Sequence, residues 1–221
     1  MQMVNTMAFQ KAQVDLKNRQ RLLNNHYGDM SPINNDLLPG MPKGSVVVVA
    51  EDVQKIMDKI QKETTKDKRE IPFLLYGKNE GQLVFFDKID VDWRNPHSME
   101  ADFSRLAPKL NEFVNKSKKD GTDIIAHGHS HPEIGGFYHC FSLKDMDDYK
   151  NLRMDNEVFK MGKIELCSCL LTDGNTNFLF FDGNDYYKFN EVFVQAENGD
   201  FIEQLPCYKK IMVYKRGLER E

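Results

Sequence analysis

Apolar residues recur along this chain in short blocks whose spacing switches between two and about three and a half, and each switch marks a change of element. Ser45 to Ala50 is a β-branched run, the composition of a buried strand. Val53, Ile56, Met57 and Ile60 follow at helical spacing and predict a helix over Asp52 to Gln61. The charged stretch Lys62 to Arg69 is expected to be a solvated connection. Ile71 to Tyr76 and Gln82 to Val91 are predicted strands, and Lys78-Asn79-Glu80-Gly81 between them makes a hairpin. Phe103, Leu106, Leu110, Phe113 and Val114 keep a second helical stripe, which Lys118-Lys119-Asp120-Gly121 ends with basic residues and a glycine.

Thr122 to Ala126 begins a strand that runs into a group of histidines, and a helix is expected to start near Ser142. Ile164 to Thr172, Asn177 to Phe181 and Tyr186 to Val194 are predicted strands, punctuated by Asp173-Gly174-Asn175 and Asp182-Gly183-Asn184. This order predicts an α/β fold, a mixed sheet with helices on its faces. Residues 1–43 are different in kind. They are polar and rich in Asn and Gln, with a helix expected from about Thr6 to Asn24, and they end in the breakers Pro32, Pro39, Gly40, Pro42 and Gly44. The reading is an N-terminal arm or linker over 1–43, a compact domain over 44–195 and a C-terminal extension over 196–221.

Composition narrows the function classes. A chain of 221 residues is long enough for one sizeable core and an appendage. The net charge of −4 and a pI near 5.9 provide no basic field for phosphate, so nucleic acid is not an expected partner. The longest apolar stretches, such as Ser45 to Ala50 and Leu83 to Phe86, fall far short of the ~20 residues that span a bilayer, so no membrane segment is expected. Met1 to Asp15 lacks the basic, apolar and small-residue sequence of a signal peptide, which makes a cytoplasmic location the expectation. The cysteines at 140, 167, 169 and 207 form neither a C-x-x-C pair nor a disulfide framework and are read as reduced thiols.

The chemistry concentrates in His127-Gly128-His129-Ser130-His131-Pro132. On a strand, positions i and i+2 share a face, so His129 and His131 aim two imidazoles at one point, half of a metal site. A regular strand separates His127 from His131 by ~13 Å, too far for all three to chelate, which leaves His127 a structural or supporting residue. Imidazole nitrogens suit zinc, and a hydrolytic zinc site needs a third protein ligand and an open position. Downstream, Ser142-Leu143-Lys144-Asp145 reads as a helix cap with an acid at its third position. That cap is compatible with a site role, because a helix start holds both side chains rigidly at one end.

These residues resemble the JAMM (MPN+) metalloprotease family, whose signature is an upstream Glu, then His-x-His-Pro, then Ser-x-x-Asp. His129-Ser130-His131-Pro132 matches the second piece and Ser142 to Asp145 the third. The gap from Pro132 to Phe141 is longer than the family's, so Asp147 and Asp148 stand beside Asp145 as candidates for the third ligand, with Asp145 at the family's spacing from Ser142. Upstream, Glu70-Ile71-Pro72-Phe73-Leu74-Leu75-Tyr76-Gly77 resembles the family's Glu-x-x-Gly-Leu-Leu-x-Gly, with Phe73 in place of the first glycine. Over about residues 44 to 195 the resemblance implies a curved mixed sheet flanked by helices, similar to cytidine deaminases. It implies zinc held by His129, His131 and Asp145, Glu70 as general base, Ser142 bonding the oxyanion, and a peptide or isopeptide substrate such as the tail of a ubiquitin-like protein.

Two rivals are weighed against this. A silent MPN scaffold lacks the metal ligands, which are present here. Calcineurin-like phosphoesterases carry a Gly-His-Thr-His segment similar to Gly128 to His131, but the Asp-x-His and Gly-Asn-His segments they also need do not occur upstream. Cys140 beside His139 is a weak nucleophile pair, since neighbours on extended chain point apart. Cys167 and Cys169 are read as core, and Phe137, Tyr138 and Phe141 as substrate contacts or loop anchors.

Overall fold

The computed structural model describes residues 46–81, 83–95, 100–132, 141–172, 174–183, 186–189, 191–207 and 213–214, the side chains of residues 142, 143, 213 and 214 excepted. The expected arm over 1–43, the loop residues 133–140 with His139 and Cys140, and the charged end from Lys215 to Glu221 lie outside the described residues. In chain order the elements are β1 (Val46–Ala50), α1 (Glu51–Asp67), β2 (Pro72–Glu80), β3 (Leu83–Val91), α2 (Ala107–Lys116), β4 (Asp123–Ser130), β5 (Phe141–Ser142), α3 (Leu143–Asp155), α4 (Glu157–Lys160), β6 (Glu165–Thr172), β7 (Asn175–Phe181), β8 (Tyr186–Lys188), β9 (Val192–Gln195), β10 (Phe201–Leu205) and β11 (Val213–Tyr214).

Nine strands form one sheet in the order β10-β9-β1-β3-β2-β4-β6-β7-β8. The pairs β1–β3, β1–β9 and β4–β6 are parallel, and β2 runs antiparallel to both β3 and β4. The expected mixed α/β sheet is therefore present, as is the β2–β3 hairpin. Its register shifts between Tyr76 and Gly77. A side chain at Gly77 would put its first carbon 1.8 Å from the Phe85 carbonyl oxygen, so only glycine lets the strands approach at this bulge.

Each face of the sheet carries its own core. On one, Val53, Met57 and Ile60 of α1 pack on Ile71, Phe73, Leu75, Ala126, Cys167, Cys169 and Phe178. On the other, Leu106, Met146, Tyr149 and Phe159 pack on Leu74, Tyr76, Ile125, Leu166 and Leu170. Both Cys167 and Cys169 are free and buried, as expected of core residues. Phe141 is likewise buried in the second core, which makes it an anchor.

Three expectations are corrected. First, α1 continues to Asp67 through the stretch read as a solvated connection. Thr64 is buried on its inner face while Glu63 and Lys66 pair outside, so the helical period persists beneath a polar surface. Second, Tyr186 to Val194 is not one strand: β8 lies beside β7 and β9 beside β1, toward opposite ends of the sheet. Phe189, buried between them, keeps the run apolar across the crossing. Third, β2 runs on through Lys78, Asn79 and Glu80, which pair with Phe85, Val84 and Leu83 in place of the expected turn; in the C-terminal extension, β10 adds a strand beside β9. Outside the large sheet, β11 pairs with β5 in parallel. Among the described residues no helix is long and apolar enough to cross a membrane.

Candidate metal centre

Strand register assembles the site. Pro72 pairs with His129 and Leu74 with His127 across β2 and β4. Side chains alternate, so Glu70, two residues before Pro72, falls on the same face as His129 and His131. The side chains converge as that register requires: His129 Nε2 lies 3.0 Å from His131 Nε2, and Glu70 Oε1 lies 3.9 Å from His131 Nε2. Ligand atoms of Glu70, His129 and His131 fall within 4.8 Å of one another, so this group could hold a metal ion.

Asp145 arrives from a different element. It sits in the first turn of α3, where a carboxylate is favoured by the helix dipole. Its Oδ1 lies 3.5 Å from His129 Nε2 and its Oδ2 3.6 Å from His131 Nε2, so one carboxylate faces both imidazoles. One turn further along the same helix face, Tyr149 anchors α3 to the sheet. Its hydroxyl donates to Leu166 O at 2.7 Å and accepts from Phe181 N at 3.0 Å. The alternatives point elsewhere: Asp148 pairs with Lys144 at the surface, 2.8 Å away, and Asp147 is exposed. Ser142 ends β5, three residues before Asp145, and its side chain lies outside the described residues.

Burial and charge pull on the histidines in opposite directions. His129 is only 4% exposed, and burial opposes its protonation. The adjoining Asp145 carboxylate, helped by Glu70, outweighs burial and raises the imidazole's pKa. Two carboxylates thus hold a site that attracts positive charge. His127 behaves differently. Its ring stacks on Phe103 with centroids 3.5 Å apart, and burial, aided by His129, drives its pKa down to about 3. It packs against Phe103 beside the site, where desolvation disfavours its charged form.

Sequence reasoning did not find the residues that hold Glu70 in place. Asn95 Nδ2 donates to the Glu70 carbonyl at 2.8 Å, and Arg69 spans to Asn95 O and Trp93 O at 2.9 Å each. On the far face of the sheet, Ser130 Oγ accepts from Ile71 N at 3.0 Å and lies 2.5 Å from Thr64 Oγ1 of α1. No spacing rule singles out an Asn after a strand or a Thr inside a helix. The only signal for Ser130 was its place between the two histidines.

No protein-family model matches this chain, and no curated protein does. Among solved structures it is similar to the solution structure of protein DSY2949 from Desulfitobacterium hafniense. The two share 13% sequence identity with a TM-score of 0.45 over 68% of this chain and 93% of that one.

Proposed function

We propose that this protein is a zinc-dependent hydrolase of peptide or isopeptide bonds, with His129, His131 and Asp145 as metal ligands and Glu70 as general base. The observation that carries the reading is the Asp145 carboxylate facing both imidazoles, 3.5 and 3.6 Å away, while the imidazole nitrogens are 3.0 Å apart. Donors bonded to one tetrahedral zinc at ~2.0 to 2.1 Å sit about 3.3 Å from each other, which matches these separations. Glu70 Oε1 lies 3.9 Å from His131, near enough to serve a water beside the ion and, with the two imidazoles, within the group that could hold it. Two imidazoles with one carboxylate make a donor set that zinc favours, and they leave a fourth position open.

Zinc held by His129, His131 and Asp145 would supply Lewis acidity to the reacting groups. Glu70, only 8% exposed, would take the proton of an attacking water and return it to the leaving amine. Ser142, by its position before α3, is assigned to hydrogen-bond the developing oxyanion. The extended resemblance to JAMM proteases, from Glu70 through Asp145, supports an amide bond as the target, with the tail of a ubiquitin-like protein as a substrate class.

Glu70→Gln tests the reading, because the amide keeps the size of the side chain and cannot accept a proton. The variant is expected to retain zinc and fold and to lose hydrolysis of ubiquitin-like and peptide substrates that the wild type cleaves. Turnover at the wild-type rate would remove Glu70 from the mechanism.

A further inference from the structure

The peptide plane joining Glu70 to Ile71 is gripped on both polar atoms by buried side chains. Its carbonyl, Glu70 O, accepts from Asn95 Nδ2 at 2.8 Å, and its N–H, on Ile71, donates to Ser130 Oγ at 3.0 Å. Inside β2 the neighbouring strands β3 and β4 take the backbone groups. Glu70 precedes the strand, and there side chains replace the ladder.

Each gripping residue is itself fixed. Asn95 is 2% exposed and sends Nδ2 also to Glu100 O at 2.8 Å. Both of its partners are carbonyl oxygens, so the contacting atom must be the amide nitrogen. Arg69 holds the Asn95 carbonyl from outside. Ser130 is fully buried, its backbone N–H donates to Ile71 O at 3.2 Å, and its hydroxyl meets Thr64 Oγ1.

We propose that Asn95 and Ser130 are positioning residues for Glu70. By fixing both polar atoms of one peptide plane they set the direction of the Glu70 Cα–Cβ bond, and so hold the carboxylate beside His131. A general base must lie within about 2.6 to 3.2 Å of the proton it takes, and a site residue held ~1 Å too loosely is a common cause of failure. The inference rests on the reading of Glu70 as general base.

The test uses full-length protein loaded with Co(II) alone, whose visible spectrum titrates with the ionisation of the metal's water. Glu70→Gln is expected to move that midpoint. Asn95→Ala and Ser130→Ala are expected to keep wild-type Co(II) stoichiometry and to move the midpoint in the same direction. In metal-free protein, amide exchange at Ile71 should rise about tenfold or more in both variants as the clamp opens. A wild-type midpoint in Asn95→Ala with only a lowered melting temperature, or unaltered Ile71 exchange, overturns the positioning role while leaving the metal site standing. A wild-type midpoint in Glu70→Gln, or a wild-type protein that takes up no Co(II), removes the base itself and the clamp's purpose with it.

Discussion

Gly128→Ala probes how the strand between the histidines is packed. Phe73 and Gly128 face each other across β2 and β4. A Cβ on residue 128 would fall 2.2, 2.5 and 2.8 Å from three ring atoms of Phe73, which is fully buried. Carbon atoms pack at about 3.5 to 4.0 Å, so the ring would have to move by roughly 1 Å in an interior packed like a crystal. Overpacking of this kind costs about 1 to 3 kcal/mol, and at roughly 2 to 4 °C per kcal/mol the melting temperature should fall by about 2 to 12 °C. The informative partner is Phe73→Leu, which makes room for the methyl group. In a double-mutant cycle by chemical denaturation the pair should show a favourable coupling of about 0.5 to 3 kcal/mol. Additive costs, or a Gly128→Ala variant within about 0.5 kcal/mol of wild type, would refute the claim that bulk at 73 requires glycine at 128.

Other expectations concern the metal and the charges. A chelator should lower the melting temperature of zinc-loaded protein, since ion at a hundredfold over its Kd adds about 2.7 kcal/mol; calorimetry on chelated and reloaded samples checks this. His129→Ala should abolish that difference by leaving too few donors. Stability of metal-free protein should respond to His127, whose pKa falls from 6.5 to about 3 in the folded state. Below pH 6.5 the unfolded chain binds a proton there that the folded chain refuses, so stability drops as pH falls. From pH 7 to 5 this loss amounts to at most about 2 kcal/mol. His127→Phe, which keeps the ring stack, should lose less over the same range in urea melts, and an equal loss would show that His127 is not held neutral.

What could be read in the sequence was whatever depends on local period. The strand that carries His129 and ends just before His131, the hairpin after Glu70 and the helix after Ser142 each announce themselves within a few residues, and those elements carry the candidate site. The register that places Glu70 opposite His131 depends on pairing between distant segments and is visible only in the sheet. So is the run from Tyr186 to Val194, whose two halves look alike in hydrophobicity although they join opposite sides of the sheet. The choice of Asp145 over Asp147 and Asp148 rested on spacing alone, and it took the orientation of α3 to turn Asp148 toward Lys144. Phe73 illustrates the converse: its ring lies against Gly128 on the neighbouring strand, a partner that no linear pattern would find.

Metal content tests the central claim most directly. Protein purified without a histidine tag should carry one zinc per chain, as should Glu70→Gln, whereas Asp145→Asn should lose the ion because one of three protein ligands is gone. Full zinc in Asp145→Asn with loss in Glu70→Gln would make Glu70 the third ligand and contradict the assignment, and two iron or manganese ions per chain would point to phosphoester chemistry instead.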